Sequence, residues 1–464
     1  MSGYHFSLNP VEVPKVHTQF RHIHTPLPVP ESLPILTDLE KYESRSMHGQ
    51  LPIVWEHAEG FQVQDPWGNK WIDFTSTIFV TNAGHAHPRI LQALRTQLDK
   101  PLLHTYTYAT QIRAHYLRYL IEQTPSQFEK AFLLSAGTEA TECALKLMRL
   151  HGQKEGKKRL GILTFEGNWH GRTLGAQMMS YHPAQKAWIG YHDPHIYHLP
   201  FPYPWREITC PRTYFRDTLQ TLLSEQKIDP YTDLCGVLLE TFQGWGAIFY
   251  PPEFVQEVCT FAREHGILVA FDEMQAGFGR TGKLFGYMHY DVEPDILCCG
   301  KGAASGFPLA IVLGSQSIMD LPDVGSMSST HSANPLGCAA GLANLQVLLE
   351  EGLIEHSRKL GALFHDRLTL LKDRYPQWIR FVMGKGLLAA LHFVDAQGQP
   401  LNELCSQICE ECMRRGLLVV HTGRESIKLA PPLCISQEAL LEGIEVLDEV
   451  LALKCRTRGE HTYG

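Results

Sequence analysis

The chain has 464 residues, of which 44% are hydrophobic and 19% are charged, and its formal net charge is −8. These values are ordinary for a folded globular protein and leave little room for extended disorder. They also lack the electrostatic signature of a protein that binds nucleic acid or an anionic membrane, so we expect small molecules and a second copy of the chain as partners. No apolar segment approaches the roughly 20 residues that span a bilayer, and the first residues do not resemble a targeting segment, which predicts a cytoplasmic protein.

A chain of this length exceeds one small core, so we expect a large domain accompanied by a smaller one. Residues 1–75 are predicted to form a proline-rich extended arm and a hairpin of the small domain. The hairpin pairs Gly60–Asp65 with Lys70–Phe74 across a Pro-Trp-Gly-Asn turn. Residues 76–345 are expected to form the large domain, and residues 346–464 a C-terminal small domain.

From about residue 86 onward, helical stretches alternate with short apolar segments. This alternation predicts buried parallel strands with helical crossovers, which is an α/β doubly wound, mainly parallel sheet. The predicted strands are Ala131–Leu134, Leu160–Phe165, Gly236–Glu240, Ile267–Phe271, Ile296–Cys298 and Leu309–Leu313. The later residues predict a smaller α+β domain. Its elements are a helical stretch over Leu345–Leu371, strands near Gly386–Phe393 and Gly416–Val420, and a helix over Gln437–Leu453.

Three of the twelve cysteines, Cys405, Cys409 and Cys412, have a spacing that can hold an iron–sulfur cluster. The same spacing places them on one face of a helix predicted over Asn402–Leu417. We favour the buried helix face, because cluster ligands normally lie on a loop that wraps the metal. We therefore assign no metal and expect reduced, buried thiols.

Two predicted strands end in polar residues that suit chemistry. Ile267–Phe271 leads into Asp272 at the carboxyl end of a strand, where α/β sheets bind ligands. The second strand leads to Lys301, whose neighbours Gly300 and Gly302 leave room for a bulky aldehyde on the ε-nitrogen. Burial and nearby positive charge would lower the pKa of this lysine. Taken alone, a capping acid and a lysine in a surface turn are the better interpretations.

The segment from Leu134 to Leu147 predicts a strand, a tight glycine turn and a helix. The first N–H groups of this helix and the hydroxyl of Thr138 would bind a phosphate, aided by the helix dipole. A capping box made by Ser135 or Thr138 with the following glutamate is the alternative. The segment Gly277–Gly282 fits the dinucleotide template G-x-G-x-x-G, but no suitable helix or downstream acid accompanies it, so we exclude a nicotinamide site.

Six motifs together resemble the class III aminotransferases of pyridoxal-5'-phosphate (PLP) fold type I, and they occur in the family's order. They are Asn82-Ala-Gly-His-Ala-His-Pro, Ser135-Ala-Gly-Thr-Glu-Ala, Trp169-His-Gly-Arg-Thr, Asp272-Glu-Met-Gln-Ala-Gly-Phe-Gly-Arg-Thr-Gly, Gly300-Lys-Gly and Ser329-Thr-His-Ser-Ala-Asn-Pro-Leu. Each motif is moderately specific, so the resemblance rests on the set. It covers most of the chain and implies PLP as the cofactor.

The resemblance also implies a role for the matching residues. Lys301 would form a Schiff base with PLP and then move the substrate α-proton, while Asp272 would pair with the pyridine nitrogen. Gln275 would lie near the phenolic oxygen, and Trp169 would stack on the ring. Thr330 would reach the phosphate of the neighbouring subunit, which implies a homodimer with a shared active site. The implied cofactor-binding set is Ala136, Gly137, Thr138, Trp169, His170, Glu240, Asp272, Gln275, Lys301, Ser329 and Thr330.

Two positions depart from the family's pattern for glutamate or 2-oxoglutarate recognition. Trp245 stands where many members have a gating glutamate, and Lys428 stands where they have a carboxylate-binding arginine. A lysine can bind a carboxylate but lacks the planar fork of arginine. Because Arg424 lies nearby in the sequence, glutamate stays open as a substrate.

The same comparison gives a candidate substrate pocket, consisting of Thr77, Phe79, Tyr106, Trp245 and Lys428. An aromatic wall of this kind suits an amine, an ω-amino acid or an amino sugar. That these are plain core residues is an equally good interpretation.

The resemblance implies a transaminase that moves an amino group from such a donor to a keto or aldehyde acceptor, such as a 2-oxo acid, by a ping-pong mechanism. Racemases, epimerases and lyases of the same fold share Lys301 and Asp272, so they stay open as alternatives. A PLP-fold protein that binds without catalysis is disfavoured, because the lysine, the aspartate and the phosphate motif occur together.

Overall fold

The computed structural model describes residues 4–460 of the chain, which divide into two compact units. The large unit comprises Pro88–Gly244 and Ile248–Ile354. The small unit comprises the described residues up to His87, the segment Trp245–Ala247 and the described residues from Glu355 onward.

The α-helices of the described residues are given in chain order. They are α1 Leu33–Tyr42, α2 Pro88–Leu98, α3 Gln111–Glu122, α4 Gly137–Lys154, α5 Leu174–Met179, α6 Pro183–Lys186, α7 Pro211–Gln226, α8 Pro230–Asp233, α9 Pro252–Glu264, α10 Gln316–Met319, α11 Pro335–Glu350, α12 Leu353–Arg374, α13 Asn402–Met413 and α14 Gln437–Glu460. Short 3-10 turns lie at Pro30–Ser32, Arg45–Met47, Ala187–Ile189, Gly286–His289 and Lys301–Ala303. Within residues 4–460, no helix is long and apolar enough to cross a bilayer.

The strands follow the same order. They are β1 Val16–His17, β2 His22–Ile23, β3 His57–Glu59, β4 Gln62–Gln64, β5 Lys70–Asp73, β6 Lys130–Leu134, β7 Gly161–Phe165, β8 Ile196–Leu199, β9 Leu234–Glu240, β10 Phe242–Gln243, β11 Ile248–Phe249, β12 Leu268–Asp272, β13 Ile296–Cys299, β14 Ala310–Gly314, β15 Ile379–Gly384, β16 Ala389–Phe393, β17 Leu417–Leu418, β18 Val420–His421 and β19 Ser426–Leu429.

The large unit is built on a seven-stranded sheet of order β6-β14-β13-β12-β9-β7-β8. Strands β13, β12, β9, β7 and β8 are parallel to their neighbours in this series. The predicted α/β fold with a mainly parallel sheet is confirmed. Every residue of β7, β9, β12, β13 and β14 is buried, which explains their continuous apolar sequences.

Two details of this sheet differ from the prediction. The strand expected at Leu309–Leu313, observed as β14, is antiparallel to both β13 and β6. Only a short loop joins it to β13, whereas a parallel return needs a longer crossover. Strand β8 was not predicted. It lies at the sheet edge, where half-buried and buried positions alternate, so its Ile-Tyr-His-Leu sequence is not a continuous apolar run.

The small unit contains two sheets. In one, of order β1-β2-β5-β4-β3, the predicted hairpin of β4 and β5 is confirmed, and β17 adds to β5 in parallel. The other sheet has the order β15-β16-β19-β18 and is antiparallel. The N-terminal region, which was expected to form an extended arm, contains two paired strands and helix α1, which has a proline in its first turn.

Three helical predictions of the C-terminal part can be compared directly. The stretch expected over Leu345–Leu371 is two helices, α11 and α12, separated at Gly352, whose φ of 66° is left-handed. The final helix is present and extends to Glu460. Helix α13 carries Cys405, Cys409 and Cys412, all buried, so the helical interpretation of their spacing is confirmed.

A left-handed turn interrupts the small unit after β5. Ser76, Thr77, Ile78 and Phe79 have φ angles of 45°, 53°, 63° and 70°. Such a run costs roughly 1–2 kcal/mol per residue for side chains other than glycine. Its support is a buried network in which Asp73 accepts hydrogen bonds from the N–H and hydroxyl of Thr75 and contacts His85 Nε2 at 2.7 Å.

A buried carboxylate ties together the loops that follow β9 and β12. Glu273 accepts hydrogen bonds from the Thr241 hydroxyl and from the N–H groups of Gly286, at 2.7 Å, and Tyr287, at 2.6 Å. Burial outweighs these bonds and raises the pKa of Glu273 to about 7. Below about pH 7, the folded protein therefore holds Glu273 mainly in its protonated form.

This raised pKa predicts a pH effect on stability. The contribution of Glu273 is fully present below its ordinary pKa of 4.5 and is lost as the pH rises to about 7. The unfolding free energy of the wild type, measured relative to Glu273→Gln at equal cofactor loading, should therefore fall by about 1–3 kcal/mol between pH 5 and pH 8. Urea titrations at each pH measure it, with Glu253→Gln at an exposed position as the control. The prediction is wrong if the unfolding free energy of the wild type changes with pH by the same amount relative to Glu273→Gln as relative to Glu253→Gln.

Candidate active site

Lys301 begins a short 3-10 turn directly after β13 and Gly300. Burial lowers the pKa of Lys301, and the carboxylates of Asp272 and Glu240 act in the opposite direction. The expectation of nearby positive charge is therefore wrong, because the charges that act on this lysine are negative. The lowered pKa favours a neutral amine that can act as a nucleophile and a base.

Two features hold the Lys301 turn in place. The buried side chain of Asn344, in helix α11, donates from Nδ2 to the carbonyls of Gly302, at 2.9 Å, and Ala303, at 2.8 Å. A Cβ atom at Gly300 would come within 2.6 Å of Met274 Sδ, so a larger residue here would require the Met274 side chain to move. Sequence reasoning missed Asn344, although a lone asparagine in an otherwise apolar helix is a detectable signal.

Asp272 is the last residue of β12 and lies opposite Glu240 in the parallel register with β9. Its carboxylate is buried, and His170 Nδ1 donates to Oδ2 at 2.8 Å. Oδ1 accepts from the N–H of Met274 at 3.1 Å. These contacts stabilise an ionised carboxylate in a buried position, which a capping acid on a loop would not require.

Glu240 fixes the backbone on both sides of this site. Its Oε2 accepts from the N–H of Trp169 at 2.9 Å, and its Oε1 accepts from the N–H of Gly244 at 3.1 Å. A side chain at Gly244 would collide with the amide of Gln275, so Gln275 lies against this backbone. The guanidinium of Arg172 lies 4.7 Å from the Trp169 ring centroid and covers one side of that ring.

The predicted strand, turn and helix after β6 are present, and α4 begins at Gly137 with Ala136 as its N-cap. Glu139 accepts from the N–H groups of Ser135, at 2.9 Å, and Ala136, at 3.0 Å. The glutamate of the predicted capping box is therefore in place. The N-cap residue, however, is Ala136 and not Ser135 or Thr138. The helix has 18 residues, long enough to develop a substantial dipole at its N-terminus.

Thr138 is positioned by Thr173, the last residue of the third motif, and by Glu142, neither of which received a role from the sequence. Its Oγ1 lies 2.6 Å from the hydroxyl oxygen of Thr173, which donates to Glu142 Oε1 at 2.8 Å. Glu142 Oε1 also accepts from the N–H groups of Gly175 and Ala176. These partners lie more than 30 residues away in the sequence, so no local pattern could reveal them.

The serine and threonine of the sixth motif lie in a loop of the large unit. Ser329 Oγ accepts from Ser332 Oγ at 2.5 Å, and the carbonyl of Thr330 accepts from His104 Nε2 at 2.5 Å. Thr330 is exposed. Tyr106, predicted in the substrate pocket, is also exposed in the large unit, and its carbonyl accepts from Arg113.

The other predicted pocket residues, Thr77, Phe79, Trp245 and Lys428, lie in the small unit. Phe79 and Trp245 each have a cation on the ring. The ammonium of Lys428, on β19, lies 3.8 Å from the ring centroid of Phe79. The guanidinium of Arg424 lies 3.6 Å from the ring centroid of Trp245. Thr77 is exposed in the left-handed turn.

The donor groups of the large unit match the polar groups of PLP. Lys301 provides an amine for the aldehyde of PLP, and buried Asp272 provides a carboxyl group for its ring nitrogen. The N-terminus of α4, together with Thr138, provides a site for its phosphate. Gly171 faces Thr138 Oγ1 so closely that any side chain there would fill this space. The residues present therefore fit this cofactor.

Known proteins resemble most of the chain. A model of the family described as aminotransferase class-III matches residues 43–451. A 4-aminobutyrate aminotransferase of Mycobacterium leprae is 32% identical over 93% of this chain and 98% of its own length. An alanine/serine racemase of Pyrococcus horikoshii is 30% identical, covering 96% of each chain.

A solved structure resembles the fold as well. The (S)-enantioselective omega-transaminase of Thermomicrobium roseum superposes with a TM-score of 0.81 at 28% identity, covering 90% of this chain and 99% of that one. Sequence and fold therefore agree over nearly the full length of these relatives. The chain belongs to the class III aminotransferases, which are PLP-dependent enzymes of fold type I.

Proposed function

We propose that this enzyme transfers an amino group from an amine, an ω-amino acid or an amino sugar to a 2-oxo acid by a ping-pong mechanism. The observation that carries the proposal is Lys301, whose pKa is lowered by burial beside the carboxylates of Asp272 and Glu240. An amine that is neutral and held at a strand end suits both covalent attachment to an aldehyde and proton transfer.

Lys301 acts on the proton of the substrate carbon that bears the transferred nitrogen. Its neutral Nζ would accept this proton and return it to the carbon on the other side of the transferred nitrogen. A water molecule would then supply the oxygen of the carbonyl product, while the nitrogen stays behind on the cofactor. When bound, PLP supplies an electron-withdrawing ring that stabilises negative charge on these carbons. The Asn344 contacts to Gly302 and Ala303 limit the movement of the turn from which Lys301 projects.

Asp272 holds a proton at the pyridine nitrogen of the cofactor. The hydrogen bond from His170 Nδ1 at 2.8 Å leaves Asp272 an acceptor, and its buried position strengthens attraction to a cation. In this role Gln275 lies near the phenolic oxygen, Trp169 stacks on the ring, and Ala136, Gly137 and Thr138 bind the phosphate. Glu240 and His170 support these residues through the contacts described above.

Substrate selection is assigned to Thr77, Phe79, Tyr106, Trp245 and Lys428. Their aromatic surface favours donors with an apolar body, and the amine or ω-amino acid class agrees with the names of several relatives. The relatives include a 4-aminobutyrate aminotransferase and an omega-transaminase. The exposed positions of Thr77 and Tyr106 are available to a ligand.

The proposed enzyme is a homodimer with a shared active site, in which Ser329 and Thr330 bind the phosphate held by the other subunit. Thr330 is exposed, and its backbone is fixed by His104 Nε2 at 2.5 Å. The side chains of Leu102, Leu103 and Tyr108 near His104 are exposed apolar groups, as expected for a surface that a second copy covers.

A racemase or epimerase is the second candidate, and the likeness to an alanine/serine racemase is the observation that favours it. The same lysine and aspartate serve both reactions. The two differ in where the proton returns, since racemisation returns it to the substrate carbon and keeps the amino group on the substrate. A lyase would instead release a group from the neighbouring carbon.

Lys301→Ala should abolish the covalent link between enzyme and cofactor and lower turnover by about 100- to 10,000-fold. Borohydride reduction followed by peptide mass spectrometry should place the cofactor on Lys301 in the wild type, and visible absorbance should change in the variant. Lys283→Ala, at an exposed position, is the control. A modified peptide that lacks Lys301 would refute the assignment.

A mixed-amine screen tests the reaction itself. We expect the enzyme to consume an amine or ω-amino acid, form the matching ketone or aldehyde, and convert its cofactor to the aminated form, with pyruvate or 2-oxoglutarate restoring the original spectrum. Product analysis by chromatography and absorbance measures this. Inversion of an amino acid without a carbonyl product would instead establish the racemase.

Thr330→Ala should weaken retention of the cofactor by about tenfold, because one hydrogen bond to an anionic phosphate is lost. Dialysis followed by absorbance measures retention, and Thr221→Ala on the exposed side of α7 is the control. The wild type should sediment at twice its chain mass of 52.4 kDa. A monomer fully loaded with cofactor would contradict the shared site.

A further inference from the structure

A short turn after strand β7 of the large unit places two polar side chains beside the ring of His170. The N–H of Asn168 donates to the carbonyl of Phe165 at 3.2 Å and closes this turn. Gly167, whose φ is 79°, lets the chain reverse its direction here. Asn168 and Thr164 are both 0% exposed, so their polar groups act on His170 in the protein interior.

The two ring nitrogens of His170 face different kinds of partner. Nδ1 donates to the buried carboxylate of Asp272 at 2.8 Å, so this nitrogen carries a proton. Nε2 lies 3.5 Å from the amide nitrogen of Asn168 and 3.4 Å from the hydroxyl oxygen of Thr164. Because an amide nitrogen only donates, Nε2 beside it is an acceptor and carries no proton. A ring with its single proton on Nδ1 is a neutral imidazole.

Tyr250 determines which end of the Asn168 amide faces this imidazole. Its hydroxyl donates to Asn168 Oδ1 at 3.4 Å. Burial raises the pKa of the Tyr250 phenol well above its ordinary value, so the hydroxyl keeps its proton and stays a donor. The amide oxygen is therefore directed to Tyr250 and the amide nitrogen to His170. If the amide were reversed, its oxygen would accept from a protonated Nε2 and stabilise an imidazolium.

Other titratable groups around His170 favour the same neutral state. His198 interacts electrostatically with His170, and burial lowers the pKa of His198 to about 4, so His198 is neutral at pH 7. Lys186 Nζ donates to the carbonyl of Ser180 at 2.7 Å, and the hydroxyl of the same serine accepts from the N–H of His170 at 2.8 Å. A cation at Lys186 would repel a second cation on the His170 ring.

We propose that Tyr250 and Asn168 are positioning residues that hold His170 neutral, with its single proton on Nδ1. The pair of Asp272 and His170 then carries one net negative charge, because the imidazole contributes none. This inference rests on the proposed pairing of Asp272 with the pyridine nitrogen and names the residues that preserve the charge of that carboxylate. A charged imidazole would instead offset the carboxylate and weaken its attraction for a protonated ring nitrogen.

The hydrogen bonds form a chain in which every proton points towards Asp272. Tyr250 donates to Asn168, Asn168 donates to His170, and His170 donates to Asp272. All four residues are at most 5% exposed. In such a region of low dielectric, aligned hydrogen bonds polarise and strengthen one another. The phenol therefore acts on the carboxylate through the two residues between them.

The protons of His170 can be observed in the apoenzyme, without turnover. Nitrogen-15 NMR of histidine-labelled protein should show a neutral His170 ring protonated on Nδ1. Since the chain has 24 histidines, the loss of signals in His170→Gln provides the assignment. Asn168→Asp should add a second ring proton at pH 7, because a carboxylate replaces the donor at Nε2. Two ring protons in the wild type, or a single one in Asn168→Asp, would overturn the proposal.

Tyr250→Phe is a milder change that keeps Asn168. Without the hydroxyl the amide is free to reverse, so the doubly protonated fraction of His170 at pH 6 should rise by about twofold or more. Tyr287→Phe is the matched control, because Tyr287 is equally buried and its hydroxyl accepts from Gln127 instead. Equal changes in the two variants would contradict the role of the Tyr250 hydroxyl.

The cofactor-bound enzyme links His170 to the reaction. Asn168→Asp should lower turnover by about 10- to 100-fold and change the visible absorbance of the cofactor, because its ring nitrogen holds a proton less well. Asn9→Asp, the same change at an exposed position, should alter neither.

The two sets of measurements separate this inference from the function on which it rests. If no amine converts the cofactor to its aminated form while the NMR results are as expected, the proposed transamination fails. If the conversion occurs and Asn168→Asp absorbs and reacts as the wild type does, the positioning role fails and the transamination stands.

Discussion

The parallel pairing of β9, β12 and β13 brings two carboxylates and one amine to the same edge of a buried sheet. Asp272 lies opposite Glu240 on one side and Cys298 on the other, and Lys301 follows three residues after Cys298. Side chains separated by tens of residues therefore meet because equivalent ends of parallel strands lie together. The supporting contacts, from His170 to Asp272 and from Asn344 to the Lys301 turn, depend on this register.

Burial at this edge determines which charges the site can hold. Asp272 and Glu240 are each provided with hydrogen-bond donors, which makes an ionised form acceptable in a region of low dielectric. Glu273, one residue further on, also receives donors, yet burial raises its pKa to about 7. Lys301 responds in the opposite direction, since burial disfavours its cation. Burial thus shifts the pKa values of Glu273 and Lys301 in opposite directions, in each case toward the neutral form.

Two cations of the small unit lie on aromatic rings. Lys428 lies on Phe79, and Arg424 lies on Trp245. A ring neutralises none of the charge but stabilises the cation on its face, so the edge of a guanidinium stays available for an anion. The guanidinium of Arg424 uses its plane in this way and donates to the carboxylate of Glu425 at 3.1 Å.

The sequence by itself determined the fold class, because this depends on local patterns of apolar strands and helices. Its six motifs resembled a PLP-dependent family, and they singled out Lys301, Asp272 and the turn before α4 as candidate site residues. Tertiary structure decided the antiparallel direction of β14, the sign of the charges near Lys301 and the positioning contacts of Asn344, Glu142 and Glu273. Each of these depends on partners distant in the chain. Arg424 illustrates the difference. The sequence placed it near Lys428, but only the folded small unit stacks it on Trp245, because contacts between residues distant in the sequence are set by packing.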